Sequence, residues 1–237
     1  MAIDRFWLTQ VSQDPSMLPV LRFYTWQPAA LSVGFHQSID PTWSDLIERH
    51  QLNLVRRPSG GRAVLHQGDL CYAIVSPILF KGRSQNYNYL CQFLLQGLGS
   101  LYRDLAPQSS AGSFSLGTGG REYIDQSNCF ATATGTDLVF NLPNQVPLKL
   151  VGSAQTYTSR AVLQHGSILI KPNPHLWQDF WGFTPWGLAD LFPGLSLEQL
   201  TQLLIKYLCD GAIAAWQISL IEQELNPTEL ESINFET

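Results

Sequence analysis

The sequence has no apolar run near the ~20 residues that a helix needs to cross a bilayer. Its opening stretch, MAIDRFWLTQ, carries early charges and no long apolar segment, so no secretory signal is expected. Cysteine is scarce: Cys71, Cys91, Cys129 and Cys209 include no CxxC pair and no cluster with histidine at zinc-ligand spacing. A disulfide scaffold and a zinc module are therefore excluded, and free thiols in a reducing, cytoplasmic compartment are expected. Charge is sparse too, at 14% of residues, with a formal net charge of -5. No global field draws nucleic acid or an anionic membrane to such a chain, so an anion site must be local. There is no internal repeat, low-complexity tract or charge block, and no heptad run that demands a partner, so a monomer is expected.

What is present is turn chemistry and patterned apolar residues. The chain has 237 residues with 18 glycines and 14 prolines, which fits one domain over 1–237 with many turns. VLRFYTW (20–26) alternates as a strand does, and ALSVGF (30–35) follows it. PTWSDLIERH (41–50) has a proline start and helical spacing. Residues 53–57 and 62–66 are short strands about a Pro-Ser-Gly-Gly turn, and LCYAIVSP (70–77) is apolar enough to be a central strand. Residues 84–105 form the longest helical candidate, with Leu90, Phe93, Leu94, Leu98 and Leu101 on one face. A Ser- and Gly-rich loop (106–121) is expected to be mobile. Strands are expected at 136–141, 148–158 and 161–170, the first two forming a hairpin. Helices follow at 196–216, with Ser196 and Glu198 in the first turn, and at 226–235, with Asn226 as cap and Pro227 first. Runs of strands with helices between and after them predict an α+β fold, a central mixed β-sheet with flanking helices.

Three segments carry chemistry. In RRPSGGRAVLH, Arg56, Arg57 and Arg62 surround Ser59, Gly60 and Gly61, ending at His66. The glycines admit positive φ or close approach of a ligand, and arginine offers a fork of donors. The segment is either a turn with solvated arginines or the wall of an anion or acyl-carbonyl site; no Gly-Lys-Ser/Thr follows, so it is no P-loop. In LKLVGSAQ, Lys149 stands in an apolar strand before the small residues Gly152, Ser153 and Ala154; in LQHGSILI, His165 and Gly166 interrupt the next strand. Lys149 snorkelling at a strand end and His165 as a satisfied core histidine are the plain alternatives. Cys129, in SNCFATATGTD, lies among small and polar residues, whereas Cys71, Cys91 and Cys209 lie in apolar patterns and read as core thiols. A nucleophilic Cys129 needs partial exposure and a local positive group, and Lys149 is the candidate for that group.

Taken together, the three ordered motifs resemble the lipoate–protein ligase and octanoyltransferase family, related to biotin–protein ligases. LRFYTWQPAALSVGFHQ (21–37) is similar to the family's early hairpin, and MAIDRFWL (1–8) to the end of its first-helix motif, so the chain starts where residues usually precede it. The resemblance implies a biotin/lipoyl ligase-like α+β domain holding an acyl chain. It is closest to the Cys-type octanoyltransferases. Cys129-Phe130 precedes the TDLVF strand as their nucleophile does, Arg62 stands where ligases have a third glycine, and Gly135-Thr136-Asp137 replaces a ligase's Arg-Asn-Asp-like sequence. The loop 142–147 departs by looking longer.

The resemblance thus implies that Cys129 takes octanoyl from acyl carrier protein as a thioester and passes it to a lysine of a lipoyl domain, in the glycine cleavage H protein or a 2-oxoacid dehydrogenase E2. Lys149 serves the developing charge; Arg56, Arg57, Ser59, Gly60, Gly61, Arg62, His66, Gly152, Ser153, Ala154, His165 and Gly166 line the substrate site. No cofactor or metal is then needed. The alternative is an ATP- and Mg-dependent lipoate–protein ligase, with Arg56, Arg57 and the glycine turn around an adenylate and Cys129 incidental. A non-catalytic acyl- or lipoyl-domain-binding protein is a third reading.

Overall fold

A computed structural model describes residues 1–106, 112–117, 128–130 and 137–233. The chain opens with helix α1 (Ala2–Gln13), followed by strands β1 (Val20–Tyr24) and β2 (Ala30–Val33), helix α2 (Trp43–Arg49), and strands β3 (Asn53–Arg56), β4 (Val64–His66) and β5 (Asp69–Pro77). Helices α3 (Arg83–Leu90) and α4 (Gln92–Leu105) precede β6 (Ser113–Leu116), β7 (Leu138–Asn141), β8 (Leu148–Tyr157) and β9 (Ala161–Leu169). Helices α5 (Pro174–Trp181), α6 (Leu188–Leu191), α7 (Leu197–Trp216) and α8 (Pro227–Ser232) complete it.

Six strands form one sheet in the order β1-β5-β9-β8-β7-β6, antiparallel at every pairing. A parallel pairing, β2 with β3, belongs to a second, three-stranded sheet ordered β3-β2-β4. The two strands flanking the Pro-Ser-Gly-Gly turn therefore do not pair with each other; β2 lies between them. The turn crosses over the end of β2 and is tied there by Arg57 N–H to the Val33 carbonyl (3.0 Å) and Phe35 N–H to the Ser59 carbonyl (2.9 Å).

Alternation along β5 and β9 gives the large sheet two different faces. Leu70, Tyr72, Ile74, Val162 and Ile168 face α3, α4 and α7, in the largest apolar cluster. Ala73, Val75, Ala161 and Leu163 face the other way and pack on Leu8 and Val11 of α1. The small sheet has its own core, in which Leu31, Val33, Val64 and Leu65 meet Trp177 and Phe180 of α5. Most candidate site residues lie where α1, the small sheet and this second face of the large sheet meet.

The expected central strand at 70–77 is β5, between β1 and β9. The expected helix at 84–105 is two helices: at Cys91 the bonding tightens to Leu94 N–H on the Cys91 carbonyl (3.1 Å), and the axis breaks. Ser196 and Asn226 accept bonds from Gln199 N–H and Glu229 N–H, capping α7 and α8. Within the expected loop 106–121, the described part contains β6, whose Phe114 packs on Phe140 of β7 at 4.9 Å. The rest of that loop (107–111 and 118–121), residues 135–136 of the Gly-Thr-Asp segment and residues 234–235 of the closing helix lie outside the described residues. Among the described residues no helix is long and apolar enough to cross a membrane.

Candidate active site

The site begins at a cysteine held between two elements. Asn128 bridges Ala63 as an isolated parallel pair, and Cys129 N–H donates to the Ala63 carbonyl (2.9 Å). Phe130 is buried in the small-sheet core, edge-on to Trp177 at 5.8 Å, and its N–H donates to Asn128 Oδ1 (2.9 Å). Anchored on both sides, Cys129 sends its half-buried thiol over β8. It sits there because residue 152 is glycine: a Cβ at Gly152 would lie 2.9 Å from Cys129 Sγ and 3.4 Å from the Phe130 ring.

Lys149 reaches the same point from β8. Its ammonium lies 3.7 Å from Cys129 Sγ, donates to the Cys129 carbonyl, and sits 5.6 Å from the Phe130 ring centroid. Asp137 holds it in an ion pair of 2.6 Å, with side-chain exposures of only 6% and 4%. The β7–β8 register shifts between Leu138 and Val139, an irregularity that falls beside Asp137 and Lys149. Such shifts re-aim side chains next to sites.

The turn at 56–66 forms the adjoining wall. Gly60 and Gly61 are exposed, and Gly61 has φ +95°, a conformation that favours glycine. Arg56 is exposed, and its NH1 donates to the carbonyls of Gly34 (2.8 Å), Phe35 (3.1 Å) and Gln37 (2.9 Å), clamping the neighbouring loop. Arg57 is buried. Its NH2 donates to the carbonyls of Gly60 (3.2 Å) and Arg62 (2.9 Å), and its NH1 to the carbonyl and hydroxyl of Ser32 (2.9 and 2.8 Å). Arg62 is half-buried.

Two serine–histidine–aspartate relays support this wall. In the first, Ser32 Oγ lies 2.7 Å from His66 Nε2, and His66 Nδ1 lies 2.8 Å from Asp69 Oδ2. Because a carboxylate only accepts, Nδ1 carries a proton and donates to Asp69. Trp26 stacks on the His66 ring at 4.8 Å and donates to Cys71 Sγ (3.3 Å), while Ser167 donates to Asp69 (2.7 Å). In the second relay, Ser59 Oγ lies 2.6 Å from His165 Nε2, and His165 Nδ1 lies 3.4 Å from Asp4 Oδ2 of α1. Arg22 pairs with the same aspartate. Burial pushes the His165 pKa below its ordinary 6.5, against the opposing pull of Asp4. Burial pushes Asp4 up, but the hydrogen bond from His165 and the neighbouring positive charges outweigh it and leave Asp4 low.

Behind Gly152, Ser153 pairs with Gly166 and Ala154 with His165 across β8 and β9. Ser153 Oγ bonds Tyr72 OH (2.7 Å) on the face toward α4. Gly166 lacks a side chain because a Cβ would fall 2.5 Å from the Gly152 carbonyl and 2.6 Å from the Tyr72 ring.

All three sequence motifs thus converge on one place. Cys129, Lys149 and Gly152 touch, and the turn joins them through Ala63, whose carbonyl holds Cys129; Ser59, Arg57, His66 and His165 are buried and bonded to protein groups, and Ser153 and Gly166 face Tyr72 instead. Sequence reasoning did not single out Asp4, Ser32, Asp69 or Asp137 as partners. Their signal is weak: each is an ordinary polar residue whose partner is distant in sequence or, for Asp69, masked by a turn. Among the described residues His66, Asp69 and Cys71 are the one group with metal-ligating atoms close together. Those atoms already exchange hydrogen bonds, with Cys71 Sγ 3.3 Å from both His66 Nδ1 and Asp69 Oδ2. Cys71 and Cys91 are buried, and burial drives the Cys71 thiol well above its usual range and Cys91 up to about 12. Cys209 is partly exposed rather than a core thiol.

Residues 1–184 match the lipoyl protein ligase A/B catalytic domain family. The chain is 35% identical over 178 residues to octanoyltransferase LipM of Moorella thermoacetica, covering 73% of this chain and 61% of that protein. It is 34% identical over 178 residues to octanoyltransferase LipM of Bacillus subtilis, covering 72% and 60%. The chain therefore spans roughly three fifths of the length of these curated relatives. Its fold is similar to that of lipoate-protein ligase A bound with ATP, with a TM-score of 0.71 at 18% identity over 95% of this chain and 85% of that one. It is also similar to the bipartite lipoate protein ligase of Thermoplasma acidophilum, described with its E2 lipoyl domain, at a TM-score of 0.66, 18% identity, and coverage of 96% and 84%.

Proposed function

Because the chain belongs to the lipoyl protein ligase A/B catalytic domain family, we propose that it is an octanoyltransferase of lipoate biosynthesis working through a thioester on Cys129. The observation that carries this reading is the 3.7 Å contact between Lys149 Nζ and Cys129 Sγ above the bare backbone of Gly152. Relatives named octanoyltransferase support the same activity.

In the proposed reaction the Cys129 sulfur attacks the carbonyl of an octanoyl thioester on acyl carrier protein. The Cys129 S–C bond forms, the carrier S–C bond breaks, and the carrier leaves as its thiol with the proton from Cys129. The Lys149 ammonium faces the oxygen on which negative charge develops. A lysine amine of a lipoyl domain, in an H protein or an E2 subunit, then attacks the acyl-enzyme. An amide forms, the Cys129 S–C bond breaks, and the amine proton returns to the sulfur. The exposed Gly60 and Gly61 leave room for the acyl head, while Gly152 seats the sulfur, with Ala154 on the same strand; Gly166 faces Tyr72 on the other side of the sheet.

The reading uses no nucleotide or metal. An adenylate-forming ligase would use Arg56, Arg57 and the glycine turn around the adenylate and Lys149 on the acyl carbonyl and phosphate. In favour of the transferase reading, Arg57 is turned inward on four protein contacts and Lys149 is paired with Asp137. We read the 237 residues as one catalytic unit, a cytoplasmic monomer that binds neither nucleic acid nor membrane.

The test is incubation with octanoyl carrier protein without ATP, followed by intact mass. An octanoyl adduct lost in Cys129→Ala supports the reading. Lipoyl-domain acylation that strictly requires ATP and survives Cys129→Ala refutes it in favour of a ligase; bound acyl ligand with neither reaction favours a binding protein.

A further inference from the structure

We propose that Arg57 acts on Cys129 as a second buried positive charge, beside Lys149, stabilising the anion that forms at the sulfur. The proposal rests on Cys129 being the nucleophile.

Both residues are anchored on the same strip of backbone. Arg57 NH2 donates to the Arg62 carbonyl, and Cys129 N–H donates to the next carbonyl, Ala63, each at 2.9 Å. The guanidinium and the Cys129 main chain are thus anchored on neighbouring peptides of one segment. Arg57 is buried and Cys129 half-buried, so ions and water screen the charge between them only in part.

What distinguishes Arg57 is the placing of its counter-charge. Among the described residues no carboxylate lies within 4 Å of it. Its four hydrogen bonds end on neutral oxygens. The nearest balancing anion along the bonded network is Asp69, reached through the Ser32 hydroxyl and the His66 ring. Lys149, in contrast, touches its own carboxylate, Asp137, at 2.6 Å. Seen from Cys129, Lys149 is paired with the Asp137 carboxylate, whereas no carboxylate among the described residues pairs with Arg57. Burial draws the Arg57 pKa down from its ordinary value, and negative charge on Cys129 is the first of the influences opposing that fall.

The Ser32–His66–Asp69 relay then has a definite task. It anchors Arg57 strongly enough to bury it, while holding the compensating carboxylate two groups away. His66 and Asp69 are positioning residues in this scheme.

The field is measured by alkylating Cys129 in the full chain with neutral iodoacetamide and with anionic iodoacetate, and taking the ratio of the two rate constants by peptide mass spectrometry. Both reagents meet the same thiolate, so the ratio isolates local charge from nucleophilicity. Arg57→Gln is expected to lower the iodoacetate-to-iodoacetamide ratio about fivefold, and Arg57→Lys to stay within about twofold of the parent. A folded Arg57→Gln protein with the parent ratio overturns the proposal. Where Arg57→Gln does not fold, the Lys149→Met/Asp137→Leu protein decides. A ratio still above that of the urea-unfolded chain supports Arg57, and a ratio equal to it overturns the proposal. No acyl substrate enters, so this outcome is separate from that of the octanoyl-adduct test.

Discussion

Cys129 and Gly152 fit together because one has a thiol where the other has no side chain: a Cβ on residue 152 would stand 2.9 Å from the sulfur. Contacts that short force movement, and the thiol is the movable partner. Gly152→Ala is expected to retain the fold at a cost of about 1–3 kcal/mol of overpacking. Displacing the sulfur from Lys149 should slow acyl-enzyme formation at least about tenfold. Urea unfolding and adduct formation followed by intact mass check the two halves; an alanine variant with parental adduct kinetics would show that the sulfur needs no such seat.

The Lys149–Asp137 pair is almost fully buried, so removing one partner strands a charge. Lys149→Met alone is expected to cost about 3–5 kcal/mol, and Lys149→Met/Asp137→Leu to recover much of it. Neither protein should regain the parental rate of acyl transfer. Denaturant melts of the two single variants and the double variant complete the cycle.

Acid sensitivity should begin near neutrality. The folded protein holds His165 below its ordinary 6.5, so between that value and the lower folded value the unfolded chain binds a proton that the native state refuses. Stability therefore falls as pH drops through that window, with a slope of at most about 1.4 kcal/mol per pH unit for the one group. Asp4, held below its ordinary 3.8, stabilises the fold above that pH and loses this contribution only as pH falls through its folded value. His165→Gln should flatten the upper window and, by removing the partner that holds Asp4 low, shrink the lower one as well. Urea titrations at stepped pH measure it, and an unchanged slope just below 6.5 would remove His165 as the cause.

Tyr72 supports the site from the far face of the sheet. Tyr72→Phe strips the hydroxyl from Ser153 Oγ (2.7 Å) and from the Gln164 amide (3.3 Å) in a buried position. A loss of about 1–3 kcal/mol is expected from the partners left behind. The adduct rate should change little, since the hydroxyl lies on the opposite face from Cys129. A large rate loss without a stability loss would place Tyr72 in the reaction itself.

Much of the fold was legible because its signals are local. The apolar run at 70–77 predicts a central strand, and Ser196 and Asn226 announce the helices they cap. The family resemblance carried by the three ordered motifs likewise implied one shared site. The break at Cys91 was not legible, since the apolar stripe from Leu90 to Leu101 continues through it. The separation of β3 from β4 by β2 escaped for a related reason: strand propensity says that a segment is extended, not which neighbour it pairs with.

The sequence by itself determined the residues with chemistry to offer: a cysteine among small residues, a lysine in an apolar strand, and glycines where a neighbour must come close. Those are properties of single side chains and short windows, and they survive without knowledge of the fold. Only the tertiary structure decided which charges those residues feel. Asp4 reaches His165 across 161 positions, Arg57 reaches Ser32 across 25, and Lys149 and Cys129 meet from separate segments. Hydrogen bonds and fields act over a few ångströms of space, so the partners gathered around Cys129 come into being only when the sheets and α1 close around them.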